Sequence, residues 1–333
     1  MSRATLLSAA FITVALSFTS TPAQTQTNGG GRLKLAEAFY AKAESFFKEG
    51  RYGEAAGRYR EASLLAPEWA KAHNGLCASR FELGEYEAAA EACRRAAELQ
   101  PDSALVRLNL DRVLKELGHG GEAAEEVRLA LRLKPDWATA HGLLAEIYSG
   151  SGRYEEAVAS FGEALRLNPG DSISLNNLGG VYYRLGRLKE ATTSLESAAG
   201  LSPDQPAIHG NLGAVYAEMK RFERALGCYR RALELKPDFA EVYYHMAYAQ
   251  LRLRRYEEAR ASCLRAVELR PDYAEAHQVL GLIYLGSGQK REALGQYDKL
   301  QSLNPTLAAP LFRLIYGDKI LDARQAFAST GAK

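Results

Sequence analysis

Asn176–Pro203 reads NNLGGVYYRLGRLKEATTSLESAAGLSP and Asn211–Pro237 reads NLGAVYAEMKRFERALGCYRRALELKP; the two stretches superpose at an offset of 34 residues, and that offset decides the fold. Their final residues belong to a series of eight prolines, Pro67, Pro101, Pro135, Pro169, Pro203, Pro237, Pro271 and Pro305, spaced 34 residues apart without a slip. A fixed period in the range of about 20 to 50 residues marks a repeat architecture, in which each unit cannot bury its own apolar face and neighbours must stack.

With each proline set at position 32, the repeats run 36–69, 70–103, 104–137, 138–171, 172–205, 206–239, 240–273 and 274–307. Position 20 is alanine in every repeat (Ala55, Ala89, Ala123, Ala157, Ala191, Ala225, Ala259, Ala293), and position 27 is alanine in all but the last, which has Leu300. The spacing of positions 4, 7, 8 and 11, then 17, 20, 24 and 27, is the i, i+3, i+4, i+7 rhythm of amphipathic helices. Each repeat is therefore predicted to be two helices. Glycine at position 15 (Gly50, Gly84, Gly118, Gly152, Gly186, Gly288) suits the left-handed residue that ends the first helix, and proline at 32 cannot continue the second. Asp102, Asp136, Asp204, Asp238 and Asp272, just after the prolines, are expected to cap the helices that follow.

On these positions the chain resembles the tetratricopeptide repeat family over 36–307. The resemblance implies an all-α fold, a right-handed superhelical solenoid of eight helix-turn-helix repeats whose first helices line a concave groove. It also implies binding of proteins or peptides rather than catalysis. Pro310–Tyr316 continues in the register of a ninth first helix, so 308–333 is expected to be a capping helix with a polar tail.

Residues 1–23 combine basic Arg3, an apolar run from Ala4 to Phe18 and small residues before Ala23, the pattern of a secretory signal peptide. The apolar run falls short of the roughly 20 residues of a spanning helix, which disfavours an uncleaved anchor. Residues 24–35, with three consecutive glycines, would form a flexible lead. The mature chain is expected to be soluble and exported, periplasmic or secreted according to the cell that makes it.

Removing residues 1–23 removes only Arg3 from 42 basic residues set against 40 acidic ones, a balance that argues against a nucleic-acid surface. Cys77 and Cys93 occupy positions 8 and 24 of one repeat, where two readings stand: buried small side chains, or a disulfide stapling one helix pair. His73, His141, His209 and His277 recur every 68 residues at position 4; two-repeat spacing separates them by about 20 Å, so they are read as helix-packing residues and not as metal ligands. Catalytic motifs are lacking, and neither enzyme activity nor a cofactor is expected.

The functional reading rests on positions 2, 5, 6, 9, 12 and 13, which face the groove in the family geometry. Position 6 is asparagine at Asn109, Asn177 and Asn211; a carboxamide can pair with both backbone groups of an extended peptide, as in the asparagine ladder of O-linked N-acetylglucosamine transferases. The ladder is partial, and bonds to the protein itself or to water are the competing reading. The carboxylate clamp of chaperone-binding relatives is missing, since Tyr40 and Glu44 hold its places. Asn176, Tyr183, Arg184, Tyr244, His245, Tyr248 and Arg252 enrich the groove of repeats five to seven, either as an aromatic and cationic binding surface or as cover for neighbouring helices. The sequence thus points to a non-catalytic scaffold for a protein or extended peptide, in envelope or secretion-complex assembly. The alternative is a ligand-binding accessory subunit of a separate glycan- or cell-wall-acting enzyme.

Overall fold

A computed structural model of the chain describes residues 29–330. The signal peptide read at 1–23, the start of the lead at 24–28 and the last three residues of the tail lie outside the described residues. The described residues form 17 helices and no strand, in two compact units that divide after Pro169.

Unit one contains α1 (Gly29–Lys48), α2 (Tyr52–Leu65), α3 (Ala70–Glu82), α4 (Tyr86–Leu99), α5 (Ala104–Glu116), α6 (Gly120–Leu133), α7 (Ala138–Gly150) and α8 (Tyr154–Leu167). Unit two contains α9 (Ser172–Arg184), α10 (Leu188–Leu201), α11 (Pro206–Glu218), α12 (Phe222–Leu235), α13 (Ala240–Arg252), α14 (Tyr256–Leu269), α15 (Ala274–Gly286), α16 (Lys290–Leu303) and α17 (Pro305–Thr330). Each first helix from α3 to α15 has 13 residues. Each second helix from α2 to α16 has 14.

The turn inside each repeat forms as its sequence requires. Six of the position 15 residues are glycines with φ between 72° and 78°, a conformation that costs other residues a Cβ clash. Repeats six and seven place Lys220 (φ 59°) and Arg254 (φ 60°) in the same left-handed slot.

The turn between repeats corrects the expected capping. Asp102, Asp136, Asp204, Asp238 and Asp272 stand one residue before the N-cap, too early for their carboxylates to reach the first free amides. The caps are Trp69, Ser103, Trp137, Asp171, Gln205, Phe239 and Tyr273. Only two of these side chains cap: Ser103 accepts from the Val106 amide, and Asp171 accepts from those of Ile173 and Ser174. The recurrent histidines serve this turn instead. A ring nitrogen of His73, His141, His209 and His277 donates to the carbonyl of the proline six residues before it, at 2.9–3.0 Å. Arg107, at the same position in repeat three, donates to the Pro101 carbonyl.

Within a repeat the two helices close on positions 8 and 24, where a small residue at 8 faces a larger one at 24 in most repeats. A Cβ at Gly179 would lie 2.6 Å from Leu195 Cγ, and one at Gly213 would lie 2.4 Å from the Tyr229 ring. Tyr229, Phe161 and Leu195 are almost fully buried there, and the alanines of position 20 are solvent-free. In repeat two the same pair is Cys77 and Cys93, joined in a disulfide with Cα atoms 5.2 Å apart, which selects the staple over two free thiols. In repeat three position 8 is Asp111, with no exposed surface and no hydrogen-bond partner for either carboxylate oxygen.

The ends depart from the period. α1 starts upstream of position 36, taking in Gly29–Leu35 of the segment read as a lead, and Leu33 lines a recess with Pro67 and Trp69. α17 is one continuous helix, so most of the segment read as a tail is helical. Its Ala308, Leu311 and Ile315 bury against Ala293 and Leu300 and close the apolar end of the last repeat.

Candidate functional site

In both units successive first helices touch: α1 with α3 and α3 with α5, then α9 with α11, α11 with α13 and α13 with α15. Comparable contacts do not join successive second helices among the described residues, so the first helices form the tighter layer. Nine of the ten predicted site residues lie on this layer in unit two, and Asn109 lies in unit one.

The asparagines pair with one another. Asn109 Nδ2 donates to Asn74 Oδ1 at 2.9 Å, and Asn211 Nδ2 donates to Asn176 Oδ1 at 2.9 Å. Both pairs join position 5 of one repeat to position 6 of the next, a separation of 35 residues. The two rungs differ in access. Asn109 is 4% exposed, and burial leaves it little surface to offer a ligand. Asn211 is exposed, with its carbonyl oxygen and second N–H outside the rung. Asn176 is half-buried and donates its own Nδ2 to Asn177 Oδ1 at 3.3 Å. Asn74 is the partner that sequence reading missed; the signal was an asparagine one full period plus one residue before another.

The aromatic residues separate into two groups. Tyr244 is half-buried, with its ring centroid 5.2 Å from Tyr273 and 5.0 Å from His245, and it packs against the core of repeats seven and eight. Burial, with Glu275 nearby, raises the Tyr244 hydroxyl above the usual phenol range. Here cover for a neighbouring helix prevails. His245 stacks on Tyr229, centroids 6.2 Å apart, while keeping an exposed edge. Tyr183 and Tyr248 stay open, at 37% and 40% exposure. Arg252 Nη1 donates to Tyr248 Oη at 3.0 Å, and its guanidinium lies 5.2 Å from the Phe222 ring, so a cation is held at an aromatic edge. Arg184 is exposed at the end of α9. On α11, which touches both α9 and α13, positions 5, 6, 9 and 12 are Gly210, Asn211, Ala214 and Ala217, of which Asn211 is exposed and the others half-buried. The arrangement is a shallow strip of small side chains with an amide in its floor and phenol rings on the two adjoining helices. Such a surface offers hydrogen-bonding groups and ring faces to solvent; among the described residues no cluster of metal-ligating side chains occurs.

Models of the tetratricopeptide repeat match residues 40–104, 143–206, 206–239, 80–147 and 228–261, which together run from 40 to 261. No curated protein sequence matches the chain. Solved structures do. The Cut9–Hcn1 hetero-tetramer of the APC/C aligns with a TM-score of 0.60 at 19% identity, over 87% of this chain and 57% of that one. PilF of Pseudomonas aeruginosa aligns with a TM-score of 0.57 at 24% identity, over 64% of this chain and 98% of that one. The C-terminal part of a repeat protein from Cytophaga hutchinsonii gives 0.58 at 17% identity, over 72% and 99%. The chain spans little more than half the length of the Cut9 structure, and at these identities the likeness is one of fold.

Proposed function

Since the chain belongs to the tetratricopeptide repeat family, we propose that it is a non-catalytic scaffold that holds an extended segment of a partner protein across α9, α11 and α13. The observation that carries this reading is the open Asn176–Asn211 rung, because Asn211 keeps one acceptor and one donor for a peptide backbone. Tyr183 and Tyr248, exposed on the helices to either side, would supply ring contacts, and interface energy concentrates in such residues. The buried rung at Asn109 is assigned to structure.

Export completes the proposal. The N-terminal pattern of a signal peptide is supported by the Cys77–Cys93 disulfide, a bond that persists in oxidising compartments and is rare in the cytosol. An exported scaffold without a catalytic part would serve assembly of an envelope or secretion complex.

The test is capture from an envelope or secreted fraction with the mature chain and with an Asn176→Ala/Asn211→Ala/Tyr248→Ala variant of matching circular dichroism. A polypeptide retained by the parent and lost from the variant is the expected result. Equal retention by both would move recognition off this surface.

A further inference from the structure

The turn from first to second helix occupies positions 13 to 19 of every repeat and runs along one edge of each unit. In the four repeats of unit one these slots hold three Lys or Arg and nine Glu; in the four of unit two they hold eleven Lys or Arg and six Glu. The overall charge of +2 conceals this reversal. The acidic stretch is purest in repeats two and three, where Glu82, Glu85, Glu87, Glu116 and Glu122 meet no Lys or Arg in the same slots.

Internal pairing consumes only part of these charges. Arg255 is bound to Glu223 and Glu258, Arg224 to Glu196 and Arg260 to Glu257. Arg184, Lys189, Lys220, Arg221, Arg254 and Arg291 are exposed and pair with no carboxylate among the described residues. On the acidic edge Glu122 pairs with Arg94 and Glu116 lies in the field of Arg112, while Glu85 and Glu87 are exposed and pair with no cation among the described residues.

A second observation is independent of the charge count. Where six repeats use glycine for the left-handed turn residue, repeats six and seven use Lys220 and Arg254, both basic and both exposed. A non-glycine residue there is strained, and neither side chain makes a hydrogen bond or ion pair within the described residues that would offset the strain. Strain kept at a solvent-facing cation points to an external anion.

We infer that the chain associates with itself, the acidic turns of repeats two and three of one copy lying against the basic turns of repeats five to seven of a second copy. Both edges are generated by the same 34-residue period, so charges of opposite sign recur at one common spacing. An unrelated polyanion would match that spacing only by chance. Opposed potentials of this kind set register and partner choice, and contacts between them weaken with salt.

The association state of the mature chain is measured by sedimentation velocity over a concentration series. The parent associates at about 0.1 M salt and becomes monomeric at about 1 M, where the Debye length falls from about 10 Å to about 3 Å. Lys220→Gly/Arg254→Gly relieves backbone strain, so it keeps its fold while weakening association by about tenfold. A Lys220→Glu/Arg221→Glu/Arg254→Glu variant and a Glu85→Lys/Glu87→Lys/Glu116→Lys variant are each monomeric alone and associate when mixed. A parent that stays monomeric at low salt overturns the inference. So does association that survives high salt, a mixture that does not assemble, or a monomer whose basic edge binds an oligonucleotide or acidic glycan instead.

Discussion

Asp111 is a carboxylate where other repeats place Ala43, Ala145, Gly179, Gly213, Ala247 or Gly281, and its removal yields a quantitative prediction. The side chain has no exposed surface, and neither oxygen is hydrogen-bonded. Burial raises its pKa to about 7; Lys115 and Arg112 oppose the shift, and Glu146 and Glu126 add to it. An aspartate in the unfolded chain titrates near about pH 3.9, so between about pH 4 and pH 7 the folded state holds a proton that the unfolded state has lost. Stability therefore falls as pH rises through this window and is flat above it, which is the reverse of a salt-bridged carboxylate. About three pKa units at about 1.4 kcal/mol each give a penalty of about 4 kcal/mol at pH 8, an upper figure. Urea unfolding of the parent, Asp111→Ala and Asp111→Asn at about pH 5 and about pH 8 checks it, because subtracting the parent's pH dependence cancels every other titrating group. Both variants should lose this share of the pH dependence, and Asp111→Ala should be more stable than the parent at pH 8. Identical pH dependence in all three proteins would refute the assignment of a buried, unpaired carboxylate.

Three further outcomes follow from the helix-pair geometry. Gly213→Ala drives a methyl group into the Tyr229 ring and should cost about 1 to 3 kcal/mol; an unchanged midpoint of thermal unfolding would contradict the close approach of the two helices. Lys220→Gly and Arg254→Gly should each stabilise by about 1 kcal/mol by relieving the left-handed strain, visible as a raised melting midpoint. Replacing Cys77 and Cys93 by alanine should cost about 2 to 4 kcal/mol in urea unfolding and remove the destabilising effect of reductant, whereas a parent insensitive to reductant would contradict the staple.

The period makes most of the fold legible. Proline at 32, alanine at 20 and glycine at 15 each have one backbone or packing cause, so their recurrence alone places the helices. What escapes the sequence is set across repeats or by a single residue of offset. The aspartates after the prolines look like caps but stand one position too early, and the cap itself is usually aromatic. The histidines mark a regular position, yet only the geometry ties them to a proline carbonyl. Both cysteines fall on the 8/24 contact, but the bond depends on how closely the two helices approach there, which the period does not encode. At the candidate site the composition of the surface is readable, while access is not. Asn109 and Asn211 share a position in the period, and only one is exposed; Tyr244 and Tyr248 share a helix, and only Tyr248 is open.

The central claim, that the first helices of repeats five to seven hold a partner segment, is tested most directly by site-specific photocrosslinking in the producing cell. A crosslinker at Ala214, on α11 between the helices bearing Tyr183 and Tyr248, should trap one polypeptide. The same group at Arg230, exposed on α12 of that repeat, should not. Crosslinking at Arg230 and silence at Ala214 would contradict the account.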